Sequence, residues 1–186
     1  MRIISGSYRG KQIHPPSGMK ARPTTDQAKE GLFNILIHRF DLEELEVLDL
    51  FAGTGSITYE FASRHARSVV AVEMDPVYFK FIRKIVSELE FENVTVIRGD
   101  VFRFLRHPSQ SFDLIFADPP YNHPGLDQLP DLVFSSEILA RDGWFILEHP
   151  GDHHFTAHPH FLNHRRYGGV NFTIFGREVI TDLPAP

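Results

Sequence analysis

Asp118-Pro119-Pro120-Tyr121 closes an apolar run, an unfavourable place for two prolines unless they serve a purpose. The prolines remove two backbone donors, fix φ, and force each preceding residue into an extended shape. What remains is an acid, a stiff carbonyl and an aromatic ring that converge. Such a set can grip a planar ring bearing an exocyclic amine. The carboxylate of Asp118 and the carbonyl of Pro119 accept from the N–H groups, and Tyr121 stacks on the ring. A second set lies upstream, in Asp49-Leu50-Phe51-Ala52-Gly53-Thr54-Gly55. Its two glycines permit a sharp turn and let backbone approach a ligand closely. Asp49 would repel a pyrophosphate but suits a ligand with positive charge. S-adenosylmethionine, with its sulfonium and α-ammonium, is such a ligand. Glu73 stands twenty residues after Gly53, where an acid can accept from both hydroxyls of a ribose. Asp100 can accept from an adenine amine while Val101 packs on the ring. Phe51, Ala52 and Met74 flank these positions and complete the expected cofactor contacts.

These residues need elements to bring them together, and the chain supplies an alternating series. Strands are expected at 46–51, 68–73, 94–98, 112–117 and 144–148, each an apolar or β-branched run. Helices are expected around 55–65, 76–89, 101–106 and 125–139, with Pro76 in the first turn of its helix. The alternation implies an α/β fold: a mostly parallel twisted sheet with helices on both faces. The candidate residues all follow strand ends, the edge where such sheets bind ligands. The end of the chain departs from this, since Gly168-Gly169 joins two β-like runs, 165–167 and 170–175, into an antiparallel hairpin. At the start, 2–5 and 11–14 form a small β-hairpin around Gly6–Gly10. A helix over 25–39 follows, with Thr24 or Thr25 as its N-cap.

Composition narrows the possibilities. The chain of 186 residues has no cysteine, which excludes a disulfide framework and a thiol nucleophile. No apolar run is long enough for a bilayer and no signal-peptide core opens the chain, so a cytoplasmic protein is expected. Net charge is −5, yet Arg2, Arg9, Lys11, Lys20 and Arg22 precede the first acid, Asp26. A basic segment on an acidic body suits a local anion-binding arm. The histidines at 149, 153, 154, 158 and 160 have irregular spacing for metal ligation and read as a surface loop; no metal is expected.

The motifs together resemble a known group. Asp118-Pro119-Pro120-Tyr121 is similar to the (Asn/Asp/Ser)-Pro-Pro-(Tyr/Phe) motif of class I S-adenosylmethionine-dependent methyltransferases that act on exocyclic amines. Met1 to Gly10, Arg22-Pro23-Thr24-Thr25-Asp26 with Leu32-Phe33-Asn34-Ile35-Leu36, and Val47 to Gly55 resemble the RsmD family within that superfamily. The family commonly has an arginine where Ala28-Lys29-Glu30 keeps only a lysine. The resemblance implies a Rossmann-like fold and methylation of a guanine N2 in 16S ribosomal RNA, within the 30S subunit or an assembly intermediate. It implies an RNA-binding extension over 1–40, with Arg2, Tyr8, Arg9, Lys11, Arg22 and Thr24 as contacts, and a methyltransferase domain over 41–186. Nothing demands more than a monomer. Three other readings stay open from the residues: an N6-adenine methyltransferase on DNA or RNA, a non-catalytic RNA-binding assembly factor, and a nicotinamide oxidoreductase. The last is disfavoured by Thr58, which stands where a third glycine belongs.

Overall fold

The computed structural model describes residues 1–19 and 24–177. Lys20, Arg22 and Pro23, named above, lie outside the described residues.

Seven strands form one sheet in the order β3-β2-β1-β4-β5-β7-β6. β1 (Glu46–Leu50), β2 (Ser68–Glu73), β3 (Val94–Arg98) and β4 (Phe112–Ala117) are parallel, as is β5 (Leu139–His149) beside β4. β7 (Val170–Gly176) runs antiparallel between β5 and the edge strand β6 (Phe161–Tyr167). The helices are α1 (Asp26–Arg39), α2 (Ser56–Ser63), α3 (Pro76–Glu88), α4 (Val101–Leu105) and α5 (Leu129–Ser135). Thr25 caps α1 by accepting from the Ala28 N–H at 3.2 Å. Asp75 caps α3, whose first turn holds Pro76. Among the described residues no helix is long and apolar enough to cross a membrane.

Strand alternation sorts the core into two faces. Val47, Leu114, Phe116, Trp144 and Ile146 pack with α1 and α2. Leu48, Leu50, Ile115, Ala117, Phe145 and Leu147 pack on the other side, with α4 and α5. Every next side chain along β1, β4 and β5 therefore lands on a known face.

Several boundaries differ from the sequence reading, and four of them have a local structural reason. Strand 46–51 stops at Leu50 because Phe51 takes φ 59° and turns the chain out of the sheet. The fifth strand starts at Leu139 rather than Trp144, since the polar stretch before Trp144 stays extended through an irregular register with β4. The helical region near 125–139 divides into a 3-10 turn, Leu126–Gln128, and the short α5, and Glu137 at φ 56° ends it. β6 begins at Phe161, four residues earlier than its β-like core. The N-terminal hairpin is present as one antiparallel bridge, Arg2 to Gln12, with Ile3 N–H on the Lys11 carbonyl at 3.0 Å.

Candidate active site

The turn after β1 is built from three left-handed residues, Phe51, Gly53 (φ 55°) and Gly55 (φ 81°). Gly55 is required twice over. Beyond its φ, a Cβ there would sit 2.5 Å from the Tyr59 ring. Glu73 fixes this turn from the next strand, accepting from Gly53 N–H at 2.8 Å and from Asp75 N–H at 2.7 Å. Asp49 is buried and accepts from the Thr58 hydroxyl at 2.5 Å, so the residue that broke the glycine pattern anchors the acid. Burial pushes the Asp49 carboxyl up to about 7, against the opposing hydrogen bonds of Thr58. Burial also raises the Glu73 carboxyl. Gly55 caps α2 with no side-chain bond, which leaves the first N–H groups of an eight-residue helix facing the turn.

Two buried groups here have no hydrogen-bond partner among the described residues: Ser56 Oγ and the Tyr59 hydroxyl. Buried orphan polar atoms are rare and call for a ligand or ordered water. Together with Asp49, Glu73 and the helix N-terminus they fit the amino-acid end and ribose of S-adenosylmethionine. Asp100, expected as an adenine contact, caps α4: one of its oxygens accepts from Arg103 N–H at 2.8 Å. Val101 is buried and Met74 is exposed at the same strand-end edge.

The register brings three carboxylates to one face at this edge. Leu50 pairs with Ala117, and Ala117 with Leu147, so Asp118 continues β4 beside Glu148 at the end of β5. Alternation turns Asp49, Asp118 and Glu148 toward the face that α1 and α2 cover. Burial, then Glu148, then Asp49 hold the Asp118 carboxyl well above the usual carboxylate range. Glu148 accepts from the Tyr121 hydroxyl at 3.3 Å and from the Thr24 hydroxyl at 3.2 Å. Pro119 is buried and Pro120 exposed; the Pro120 carbonyl accepts from His123 N–H at 2.7 Å, which closes the turn. Phe51, Phe102 and His123 form an aromatic wall beside it, with Phe102 and His123 stacked at 5.1 Å.

The chain is similar to known proteins. The family described as Conserved hypothetical protein 95 matches residues 1–176. Ribosomal RNA small subunit methyltransferase D of Buchnera aphidicola subsp. Baizongia pistaciae is 32% identical, over 80% of this chain and 75% of its own. The chain belongs to the RsmD family. The Escherichia coli K12 protein of the same name is 29% identical, over 96% of this chain and 90% of its own. The solved structure of the putative methyltransferase yhhF from Escherichia coli matches with TM-score 0.83 at 28% identity, covering 97% of this chain and 99% of that one. A coclaurine N-methyltransferase solved with SAH shares the fold at TM-score 0.54 and 24% identity, over 68% of this chain and 36% of its own.

In this RsmD-family chain the arm lies against α2 and α3. Arg2 is ion-paired with Asp26 at 2.9 Å, and Arg9 and Lys11 are exposed. Tyr8 is an anchor: its hydroxyl donates to the Leu89 carbonyl at 2.7 Å and its ring meets Phe91 edge-on. Thr24 is buried on Glu148. Lys29 is buried too, on Glu60 at 3.0 Å and on the Arg2 carbonyl. Arg22 lies outside the described residues. Among the histidines of 149–164, His149 is buried against the Thr173 hydroxyl at 2.8 Å, His153 meets Asp127 at 2.6 Å, His160 stacks on Phe134, and His154 is exposed. Among the described residues no group of three or more His, Asp or Glu could hold a metal.

Ser56, Tyr59, Phe102, His123 and Glu148 are site residues that motif reading misses. For Glu148 the signal is the register of β5 beside β4, which the sequence alone does not supply.

Proposed function

We propose that this chain methylates the exocyclic N2 amine of a guanine in 16S ribosomal RNA, using S-adenosylmethionine. The observation that carries the reading is the half-buried Asp118 at the strand-end edge, on the same face as Asp49 and next to the glycine turn. The relatives named as small-subunit ribosomal RNA methyltransferases support the choice of substrate.

S-adenosylmethionine, when bound, supplies an electrophilic methyl on a cationic sulfonium. Asp49 faces its positive charge, Ser56 and the α2 N-terminus take its carboxylate, and Glu73 takes the ribose hydroxyls. Phe51, Ala52, Gly53, Gly55, Met74, Asp100 and Val101 complete that side. Asp118 and the Pro119 carbonyl accept from the amine and orient its lone pair; Pro120 stiffens the turn and Tyr121 stacks on the base. A lone pair shared with an aromatic ring is a poor nucleophile. Accepting both N–H groups favours a pyramidal nitrogen, and alignment of this kind is worth up to about 7–11 kcal/mol in ideal cases. The N–H donors favour ionised Asp118 as the base enters. After transfer the same carboxylate, raised by its neighbours, takes the proton shed by nitrogen. The target base must leave its stack to reach this edge.

Residues 1–40 form the RNA-binding extension in this reading, and 41–186 the methyltransferase domain. Arg9, Lys11 and Arg22 hold phosphates, while Arg2, Tyr8 and Thr24 shape the arm that carries them. The acceptor is the 30S subunit or its assembly intermediate in the cytoplasm, met by a monomer. The test is methyl transfer from labelled cofactor to free 16S RNA, assembled 30S particles and naked DNA. N2-methylguanine in RNA is the expected product. Methyl on adenine N6, or no product on any acceptor, overturns the reading.

A further inference from the structure

The arm and α3 do not close on each other. Between them runs a groove of about 450 Å³, with residues 11–14 on one side and one face of α3 on the other. Its floor is apolar, made by Ile13, Phe81 and Ile85, which are packed in the core beneath. Val77 lines the same groove and is 58% exposed, an apolar side chain left in water. The rim is cationic: Lys11, Lys80 and Lys84 stand on it and are exposed. Glu88 is the one acid among the described lining residues. Its pair with Lys84, at 3.5 Å, is exposed and of a kind worth little in water. Such a rim runs against the net charge of −5 on the whole chain.

The groove lies on the working face of the sheet. Asp49 pairs with Ala71 across β1 and β2, so both turn the same way. Ala71 shares a core cluster with Phe81 and Ile85, so α3 covers the face to which Asp49 and Asp118 turn. Glu73 ends β2 and Pro76 begins α3, which sets the Val77 end of the groove beside the ligand edge. From Val77 to Leu89 the helix carries the groove ~18 Å away from that edge.

An apolar floor under a row of lysines fits a polyanion that also has flat apolar faces. An unpaired RNA strand is such a ligand, with phosphates along one side and free base faces on the other. A duplex keeps its base faces stacked and offers the floor nothing. Lys80 and Lys84 are one helical turn apart, with Cβ atoms ~6 Å from each other, about the step between successive phosphates of an extended strand.

We propose that the groove between the arm and α3 seats an unpaired stretch of the acceptor RNA, its bases against Val77 and the floor and its phosphates on Lys11, Lys80 and Lys84. The proposal rests on the reading of RNA as the acceptor and adds α3 as the second wall of the RNA path.

The test irradiates the full chain with a short single strand of 4-thiouridines, whose thiocarbonyl couples to side chains in contact with it, and maps the modified peptides. Adducts are expected within 11–19 or 77–89. Adducts confined to other parts of the chain, or none at low salt, overturn the proposal. Lys80→Ala combined with Lys84→Ala changes two exposed residues. It should reduce the slope of log affinity for this strand against log salt by about 1.4, raise KM for 30S particles, and leave kcat and cofactor affinity as they are. An unchanged slope overturns the proposal. Weaker binding to 30S particles with an unchanged slope on the free strand puts a protein ligand on the groove and overturns it as well. Methyl transfer is scored separately: a chain that cross-links through the groove yet makes no N2-methylguanine sinks the reading of the reaction and leaves the groove assignment standing.

Discussion

Glu60 is a fully buried carboxylate and Asp118 a half-buried one, and the fold treats them in opposite ways. Glu60, in the middle of α2, is matched from within the chain by Lys29 at 3.0 Å, by Arg64, and by the Ile4 N–H at 2.8 Å. Asp118 sits among other acids, and burial with Glu148 and Asp49 drives its proton affinity up. The first group ties the arm to α1 and α2. The second is relieved by whatever brings positive charge or N–H donors to the edge. A charge matched internally serves the structure; one left crowded is set for a ligand.

The largest expected effect tests the crowded side. Asp118→Ala should lower methyl transfer by about 10³-fold or more, by the scale of losing one transition-state contact. Cofactor affinity should change little, and thermal stability should hold or rise because a crowded acid is gone. Near-normal turnover in that variant would end the distinction. Lys29→Met tests the matched side. It strips a cation from a buried acid and should cost about 3–5 kcal/mol in urea unfolding. A loss below about 1 kcal/mol would mean that Arg64 and Ile4 suffice. Gly55→Ala should cost about 1–3 kcal/mol through its left-handed backbone and its collision with Tyr59, read as weaker cofactor binding and a lower Tm.

Asp49 sharpens the contrast through pH. Its folded carboxyl titrates at about 7, above the ordinary 3.8, so the folded state binds more protons than the unfolded between those values. Its contribution to stability is full below the lower value and is lost as pH rises through about 7. Asp49→Asn should flatten the ligand-free melting profile between the ordinary 3.8 and about 7, at most about 1.4 kcal/mol per pH unit. S-adenosylmethionine should bind wild type more weakly as pH falls below 7, because the cation needs the ionised acid. The smallest effect belongs to the arm. Replacing Arg9 and Lys11 by Ala should cut the slope of log affinity for RNA against log salt by about two, with no change in Tm.

The parallel strands β2, β3 and β4 could be read from sequence to their last residue because each is a mostly apolar or β-branched run, buried in β2 and β4 and partly exposed in the edge strand β3. The start of β5 could not: Ala140-Arg141-Asp142-Gly143 has the composition of a loop, and only its place beside β4 keeps it extended. In the site, Asp49, Gly53, Gly55, Glu73 and Asp118 announced themselves by type and spacing. Glu148 did not, since an acid at a strand end is ordinary until the neighbouring strand is known. Thr58 could be seen only as a missing glycine, and Tyr8 and Thr24 only as arm residues. The partners of Tyr8 and Thr24, Leu89 and Glu148, are distant in sequence, and spacing carries no information about them.

The arm is fastened to α2 mostly through its backbone. Ser7 N–H meets the Ser63 carbonyl at 2.8 Å, Tyr8 N–H meets the Ser63 hydroxyl at 3.0 Å, and Gly6 passes so near that a Cβ would fall 1.9 Å from the Ser63 carbonyl. A joint made of main-chain atoms is indifferent to the side chains around it. The outward positions of this hairpin can therefore be rewritten wholesale, by evolution or by a protein engineer aiming at a different RNA, while the stitching beneath stays as it is.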